Sequence, residues 1–264
     1  MIEVKDLKKY FPVKRGVLQK TVGNVKAVDY ISFKIEAGET FGLVGESGCG
    51  KTTTGRLLLN LLKPDAGSVA HNGKNIFSMS GREMLKLRQD MQIIFQDPFS
   101  SLNPRMKVKD MIGEGLLLHK KCKAREISSR CDRALEMVGL PPDYKNRYPH
   151  QFSGGERQRI GIARAIILEP KFIVCDEPVS SLDVSIQARI LKLLKELKEK
   201  LRLTYLFITH DLSVVANICE RVAVMHEGKI VETGSVADIY TRPKHDYTRR
   251  LLKSIPIPDP RARL

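Results

Sequence analysis

Apolar residues recur along the chain in two rhythms. Four runs are short and continuous: Thr40 to Val44 (TFGLV), MQIIFQ ending at Gln96, Phe172 to Cys175 (FIVC), and TYLFIT just before His210. Runs of this length, rich in β-branched and aromatic residues, predict strands buried on both faces, the kind that build a parallel sheet. IEVKDL and KAVDYISFKI instead alternate, as half-buried strands do, with EAGE turning between the second of these and TFGLV. PDAGSVAHNGK reads as a hairpin, and RVAVMHEGKIVETG as two strands around a turn at Glu227-Gly228.

The helical rhythm is equally plain. Thr52 to Leu62 carries Leu57, Leu58, Leu61 and Leu62 on one face, and SGREMLKLR follows the hairpin as a second helix. VKDMIGEGLLLHK and AREISSRCDRALEMVGL form a helical stretch that Gly139, Pro141 and Pro142 end. Ile186, Ile190, Leu193, Leu197 and Leu201 recur at helical spacing, with Lys192, Lys195, Glu196, Lys198 and Glu199 largely opposite, so that helix lies on a sheet. Strands alternating with helices predict an α/β fold.

Composition narrows the class. At 264 residues with 42% hydrophobic content the chain suits one globular domain, and its longest apolar runs fall short of a membrane span. The opening MIEVKDLKKYF lacks a signal peptide's apolar core, which predicts a cytosolic protein. Cys49, Cys122, Cys131, Cys175 and Cys219 are an odd set without a C-x-x-C pair, suited to free thiols rather than a disulfide or metal framework. The net charge of +15 calls for an anionic partner. Low aromatic content and the lack of any RRM, KH or zinc-finger pattern argue against nucleic acid.

The chemistry is concentrated in a few places. TFGLVGESGCGKTTTGRLLLNLL sets a strand, a glycine-rich loop and a helix around the pattern G-x-x-x-x-G-K-[ST]. Gly45, Gly48 and Gly50, with Ser47 and Cys49 between them, let the loop turn its N–H groups inward onto phosphates. Lys51 reaches the β- and γ-phosphates, Thr52 is a Mg²⁺ ligand, and Thr53 continues the phosphate grip. Asp176 and Glu177 end the FIVC strand, Asp176 to hold the metal and Glu177 to polarise the attacking water. Gln96 and His210 end two further strands on the same sheet edge, placed to sense the γ-phosphate, with Gln96 also a metal ligand. FSGGERQRIG opens a helix at Ser153, Gly154 and Gly155, an anion-binding start that carries no lysine of its own.

In the order GESGCGKTT, FQDP, FSGGERQRIGIARA, IVCDEPVSSLD and ITHD, the chain resembles the nucleotide-binding subunit of an ABC transporter over nearly its whole length. The resemblance implies a P-loop NTPase core with a mainly parallel central sheet, an antiparallel β subdomain and an inserted helical subdomain. Residues 1–95 and 160–240 would form the core with its β subdomain, 96–159 the helical part with the signature, and 241–264 a C-terminal extension. It implies ATP and Mg²⁺ as cofactors, and two cassettes packed head to tail, so that Ser153, Gly154 and Gly155 of one hold the nucleotide of the other. Asp183 then lies in the loop that crosses this interface, and Tyr10 stacks on adenine, with Phe11 as the alternative. The groove formed by the Gln96 loop and the helical part would receive a cytoplasmic helix of a transmembrane permease subunit.

QDPFSSLNPRMKV and HDYTRRLLKSIPIPDP are similar to the oligopeptide and dipeptide importer branch, closest to its F-type ATPase subunit. That implies peptide import, a D-type partner cassette with a homodimer of the isolated chain as the alternative, an extracytoplasmic peptide-binding protein acting indirectly, and a place at the cytoplasmic face of the membrane. Importers of other small solutes, and soluble cassettes acting on nucleic acid or ribosomes, are the alternative readings. In the signature Glu156 stands where the family most often has Gln, and in the crossing loop Ser181 replaces a common alanine. The branch often carries a cysteine-containing tail after a proline-rich stretch; PIPDPRARL holds no cysteine, and an iron–sulfur cluster finds no support here.

Overall fold

The computed structural model describes residues 1–16, 20–97 and 101–253. Within these the chain forms two compact units, Met1–Phe77 with Phe207 onward, and Ser78–Leu206. The proline tail with Pro256, Pro258 and Pro260, and residues 98–100 of the QDPFSSLNPRMKV stretch, lie outside the described residues.

In the first unit β1 (Ile2–Arg15) pairs antiparallel with β2 (Lys20–Ile35) on one side and with β4 (Ala66–His71) on the other, and β5 (Lys74–Asn75) closes a four-stranded antiparallel sheet. Where the sheet covers a core, Ile31, Phe33 and Ile35 alternate on β2, and Ile2 and Val4 on β1, until a register shift with Asp6 at φ 45° moves the next buried residue to Leu7. Beyond Leu7 the ribbon continues with Val13, Val22 and Val25 exposed, held by backbone pairing rather than by burial. The hairpin predicted in PDAGSVAHNGK forms, turning at Asn72-Gly73 with both residues at positive φ, 50° and 80°, as a type I′ turn requires.

The second layer of this unit is built on β3 (Thr40–Val44), buried at every position. It pairs parallel with β9 (Arg221–His226), which pairs antiparallel with β10 (Lys229–Ser235) through the predicted turn at Glu227 (φ 46°) and Gly228 (φ 82°). After the glycine-rich loop comes α1 (Lys51–Leu58). It stops one turn earlier than the leucine pattern predicts: Leu57 and Leu58 are buried, but Asn60 turns left-handed at φ 51° and Leu61 is 50% exposed. Among the described residues this unit also holds three short helices, α7 (Leu212–Ile218), α8 (Val236–Thr241) and α9 (Asp246–Lys253). Leu212, Val215, Ile239, Tyr247 and Leu251 from these helices share one apolar cluster with Val44, Val222 and Val224.

The second unit begins with α2 (Gly81–Asp90), which leads directly into β6 (Met91–Ile94). Next come α3 (Val108–Leu118), α4 (Ile127–Met137) and α5 (Gly154–Ile166), three mutually packed helices whose shared interior includes Met111, Ile112, Leu116, Cys131, Leu135 and Ile160. Gly139 (φ 70°) ends the turn after α4, and the Arg159 guanidinium donates to the Val138 carbonyl there at 2.6 Å. β7 (Phe172–Asp176) pairs parallel with β6, and α6 (Val184–Leu201) buries Ile190, Leu193 and Leu197, as its spacing predicts. Strand β8 (Thr204–Thr209) carries the chain from this unit back into the first. All five cysteines are free thiols. Among the described residues no helix is long and apolar enough to cross a membrane.

Candidate active site

The phosphate loop takes its shape from what surrounds it. Gly45 leaves β3 at φ 153°, and a Cβ there would lie 2.1 Å from the Met225 carbonyl oxygen. Gly50 sits at the N-cap of α1 with φ 110°, where a Cβ would lie 1.9 Å from the Ala27 carbonyl oxygen. Both are therefore glycine because strand backbone approaches them, and Gly48 (φ 82°), with open space around it, because of its conformation alone. The Gly228 N–H donates to the Cys49 carbonyl at 3.0 Å, so the β9–β10 turn also props the loop. Burial raises the pKa of the Cys49 thiol, which makes it a packing group rather than a nucleophile.

Lys51 is buried, and its ammonium donates to the Gly45 carbonyl at 2.7 Å and the Glu46 carbonyl at 2.9 Å. The loop thus holds its own cation over its mouth. Thr52 and Thr53, half-buried, occupy the first turn of α1, and Ser47 is exposed at the crest. His210 is exposed directly after β8, fixed between Thr209, whose hydroxyl accepts from the Asp211 N–H at 3.0 Å, and Asp211, which caps α7.

Tyr10 lies half-buried on β1, its hydroxyl donating to the Asp29 carboxylate and its ring under the Lys8 ammonium, 4.3 Å from the centroid. The hydrogen bond to Asp29 holds the phenol above its ordinary pKa and Asp29 below its own. Phe11, the alternative, is 39% exposed, with the Lys9 ammonium 5.6 Å from its ring.

In the second unit two predicted residues meet directly. The Gln96 amide, just beyond β6, donates to the Glu177 carboxylate, just beyond β7, at 3.1 Å. Parallel pairing of β6 with β7 brings the two strand ends level. Glu177 is 8% exposed and adopts a left-handed backbone at φ 47°, a conformation that costs a non-glycine residue about 1 kcal/mol or more and clusters at functional sites. Asp176, the last residue of β7, is buried.

The start of α5 resolves where Glu156 points. Ser153 is the N-cap, and the Glu156 carboxylate turns back to accept from the Ser153 N–H and hydroxyl, each at 2.8 Å, while the Glu156 N–H donates to the Ser153 oxygen at 3.4 Å. The Ser153 backbone N–H, and secondly its hydroxyl, hold this carboxyl below the usual glutamate range. The two glycines differ: a Cβ on Gly155 would meet Ile186 of α6 at 2.8 Å, whereas on Gly154 it would touch only Leu182, at 3.5 Å. Asp183 is exposed at the N-cap position of α6, where its side chain makes no cap hydrogen bond, and the adjacent Val184 is 81% exposed. Sequence reasoning did not single out Tyr247, whose hydroxyl accepts from the Glu46 N–H of the phosphate loop at 3.1 Å.

A glycine loop closed over a lysine, a buried carboxylate pair at a strand end and a serine-capped helix start are the parts of a nucleoside-triphosphatase cassette, and sequence comparison agrees. The ABC transporter model matches residues 28–180, and the model for the C-terminal region of oligopeptide/dipeptide transporters matches 231–264. The chain belongs to the ABC transporter family, among its ATP-binding subunits, which are ATPases.

Among curated relatives, the oligopeptide transport ATP-binding protein OppF of Bacillus subtilis is 52% identical over 262 residues, 98% of this chain and 84% of its own length. AppF of the same organism, also an oligopeptide transport ATP-binding protein, is 50% identical over 258 residues, 97% of this chain and 78% of its own. Among solved structures, the ATP-binding cassette MJ0796, a dimer in a post-hydrolysis state bound to ADP and Pi, superposes with a TM-score of 0.77 at 28% identity, covering 89% of this chain and 99% of that one. CbiO1 of Clostridium perfringens, part of the ABC transporter complex cbiONQ, gives 0.76 at 30% identity, covering 91% and 90%.

Proposed function

We propose that this chain binds and hydrolyses ATP at the cytoplasmic face of a membrane to drive peptide import through separate permease subunits, pairing with a second, related cassette. An extracytoplasmic peptide-binding protein would act indirectly, and nucleic acid has no part. The hydrogen bond from Gln96 to a buried, left-handed Glu177 carries the catalytic half of this reading, because it fixes a carboxylate at the end of a rigid strand. The names of the OppF and AppF relatives and the match over 231–264 support peptides as the cargo. Residues 1–95 and 160–240 serve as the catalytic core with its β subdomain, 96–159 as the helical part that meets the permease, and 241–264 as an extension.

The roles follow from chemistry. Gly45, Ser47, Gly48, Cys49, Gly50 and Thr53 cradle the phosphates with the loop backbone, and Lys51 exchanges its bonds to the Gly45 and Glu46 carbonyls for phosphate oxygens. Tyr10 takes the adenine. Thr52, Gln96 and Asp176 offer a hydroxyl, an amide oxygen and a carboxylate, an all-oxygen donor set that suits Mg²⁺, which binds through one or two carboxylates and the substrate phosphates. When bound, the ion would neutralise charge on the phosphate oxygens. Glu177 accepts the proton of the water that attacks the γ-phosphorus as the bond to the ADP oxygen breaks, and His210 reports the γ-phosphate.

Ser153, Gly154 and Gly155 hold the nucleotide of the facing cassette, and Asp183 crosses the same interface. The exposed, uncapped Asp183 side chain and the exposed Val184 support that placement. Replacing the base tests the assignment. The variant Glu177→Gln should bind ATP as the parent does and lose turnover by roughly 100-fold or more, measured as phosphate release beside nucleotide titration. Turnover within threefold of the parent would remove Glu177 from this role.

A further inference from the structure

Helix α9, the last element among the described residues, reaches the phosphate loop through the side chain of Tyr247. Tyr247 is 3% exposed and packs in the apolar cluster with Val44, the residue that precedes the loop. Its ring stacks on His226 at the end of β9, centroids 3.9 Å apart and planes 23° apart, and its hydroxyl oxygen accepts from the Glu46 N–H at 3.1 Å. The carbonyl of the same Glu46 accepts from the Lys51 ammonium at 2.9 Å. One residue of the loop is therefore gripped from both sides, by α9 through its N–H and by the phosphate-reaching lysine through its carbonyl.

The helix is itself held to the sheet. The Glu232 carboxylate on β10 accepts from the Lys244 N–H at 2.8 Å and the His245 N–H at 3.0 Å, and the His245 Nδ1 accepts from the Tyr247 N–H at 3.1 Å. The HDYT stretch thus forms a bracket that runs from β10 to the loop. Its histidine fixes the helix start, its tyrosine touches the loop, and Thr248 is buried beneath.

We propose that Tyr247 is a positioning residue for nucleotide binding: through the Glu46 N–H, α9 holds the leading limb of the phosphate loop in its binding shape and so raises affinity for di- and triphosphate nucleotides. The inference rests on the reading of the Lys51 loop as the phosphate site. Tyr247→Phe removes the hydroxyl and keeps the ring on His226. Losing the one acceptor should weaken ATP and ADP binding to the full chain by about 3- to 10-fold, with faster deuterium exchange at the Glu46 amide and a melting temperature without nucleotide close to that of the parent. Unchanged affinity would overturn the proposal. So would weakened affinity with Glu46 exchange unaltered and the melting temperature lowered, since that pattern is general destabilisation. Lys51→Ala serves as the control: if it leaves ATP affinity intact, the phosphate-site reading has failed, whereas if it abolishes binding while Tyr247→Phe does nothing, only the role of Tyr247 has failed.

Discussion

Two glycine-rich segments each open a helix in this chain, and they are built on opposite plans. The loop from Gly45 to Lys51 is moulded from outside: carbonyls of Ala27 and Met225 press on its glycines, Gly228 and Tyr247 bond its backbone, and its lysine lies over its mouth. The segment from Ser153 to Glu156 is closed from within by a serine and a carboxylate three residues apart. Its bonds repeat those of an ordinary helix start in the same unit, where Ser80 and Glu83 make the same reciprocal contacts at 2.8, 2.9 and 3.4 Å. The loop is shaped before a phosphate arrives. The segment at Ser153 is a standard capping box that carries its own anion at the helix start.

Alanine in place of single glycines separates the two plans most sharply. At Gly50 the new Cβ meets a backbone oxygen in a left-handed conformation, so Gly50→Ala should cost on the order of 3 kcal/mol in stability and remove ATP binding. At Gly154 the same change meets one side-chain carbon at van der Waals distance, so Gly154→Ala should shift stability by no more than about 0.5 kcal/mol and leave single-chain ATP affinity unchanged. Thermal denaturation and nucleotide titration of both variants check the contrast. Equal damage at the two positions would erase it.

A smaller effect is expected at Glu156. Its folded-state pKa lies below its ordinary value, so the stabilisation is complete above the usual glutamate range and is lost as pH falls through the lowered folded value. Glu156→Gln keeps an acceptor for the Ser153 N–H but removes the charge at the helix start, which should cost about 0.5 kcal/mol at neutral pH. In melting curves this difference should shrink on acidification and vanish below the folded pKa. On the proposed arrangement, in which this helix start meets the facing cassette's phosphate, the same variant should dimerise with ATP at least as readily as the parent.

What could be read in advance divides along physical lines. The strand, loop and helix around Lys51 are legible because TFGLV is apolar throughout and G-x-x-x-x-G-K-T admits few other structures. The positions of Gln96, Glu177 and His210 just beyond strands are legible because each lies at the end of a continuous apolar run. The long ribbon of β1 and β2 beyond Leu7 is not, since Val22 and Val25 face solvent and cross-strand backbone bonds leave no alternation in the sequence. Leu61 fits the leucine pattern of α1, but Asn60 turns left-handed first and ends the helix. The direction of Glu156 stays open in the sequence reading, although serine followed three residues later by glutamate at a helix start is the capping-box pattern that the structure shows. The contact of Tyr247 with Glu46 joins residues 201 positions apart, and no local pattern could signal it.

In the proposed dimer the loop of one molecule and the signature of another form one catalytic cage. Mixing two inactive variants puts this arrangement to the test. Lys51→Ala lacks the loop's cation, and Ser153→Arg blocks the signature, so neither alone can form an intact cage. In a mixed pair, the Lys51 of one chain can face the Ser153 of the other, and random pairing of equal amounts in a two-fold dimer should restore ATP hydrolysis to about a quarter of the parental rate. Hydrolysis by the mixture no greater than the mean of the separate variants, under conditions where the unaltered chain dimerises and turns over, would contradict the account.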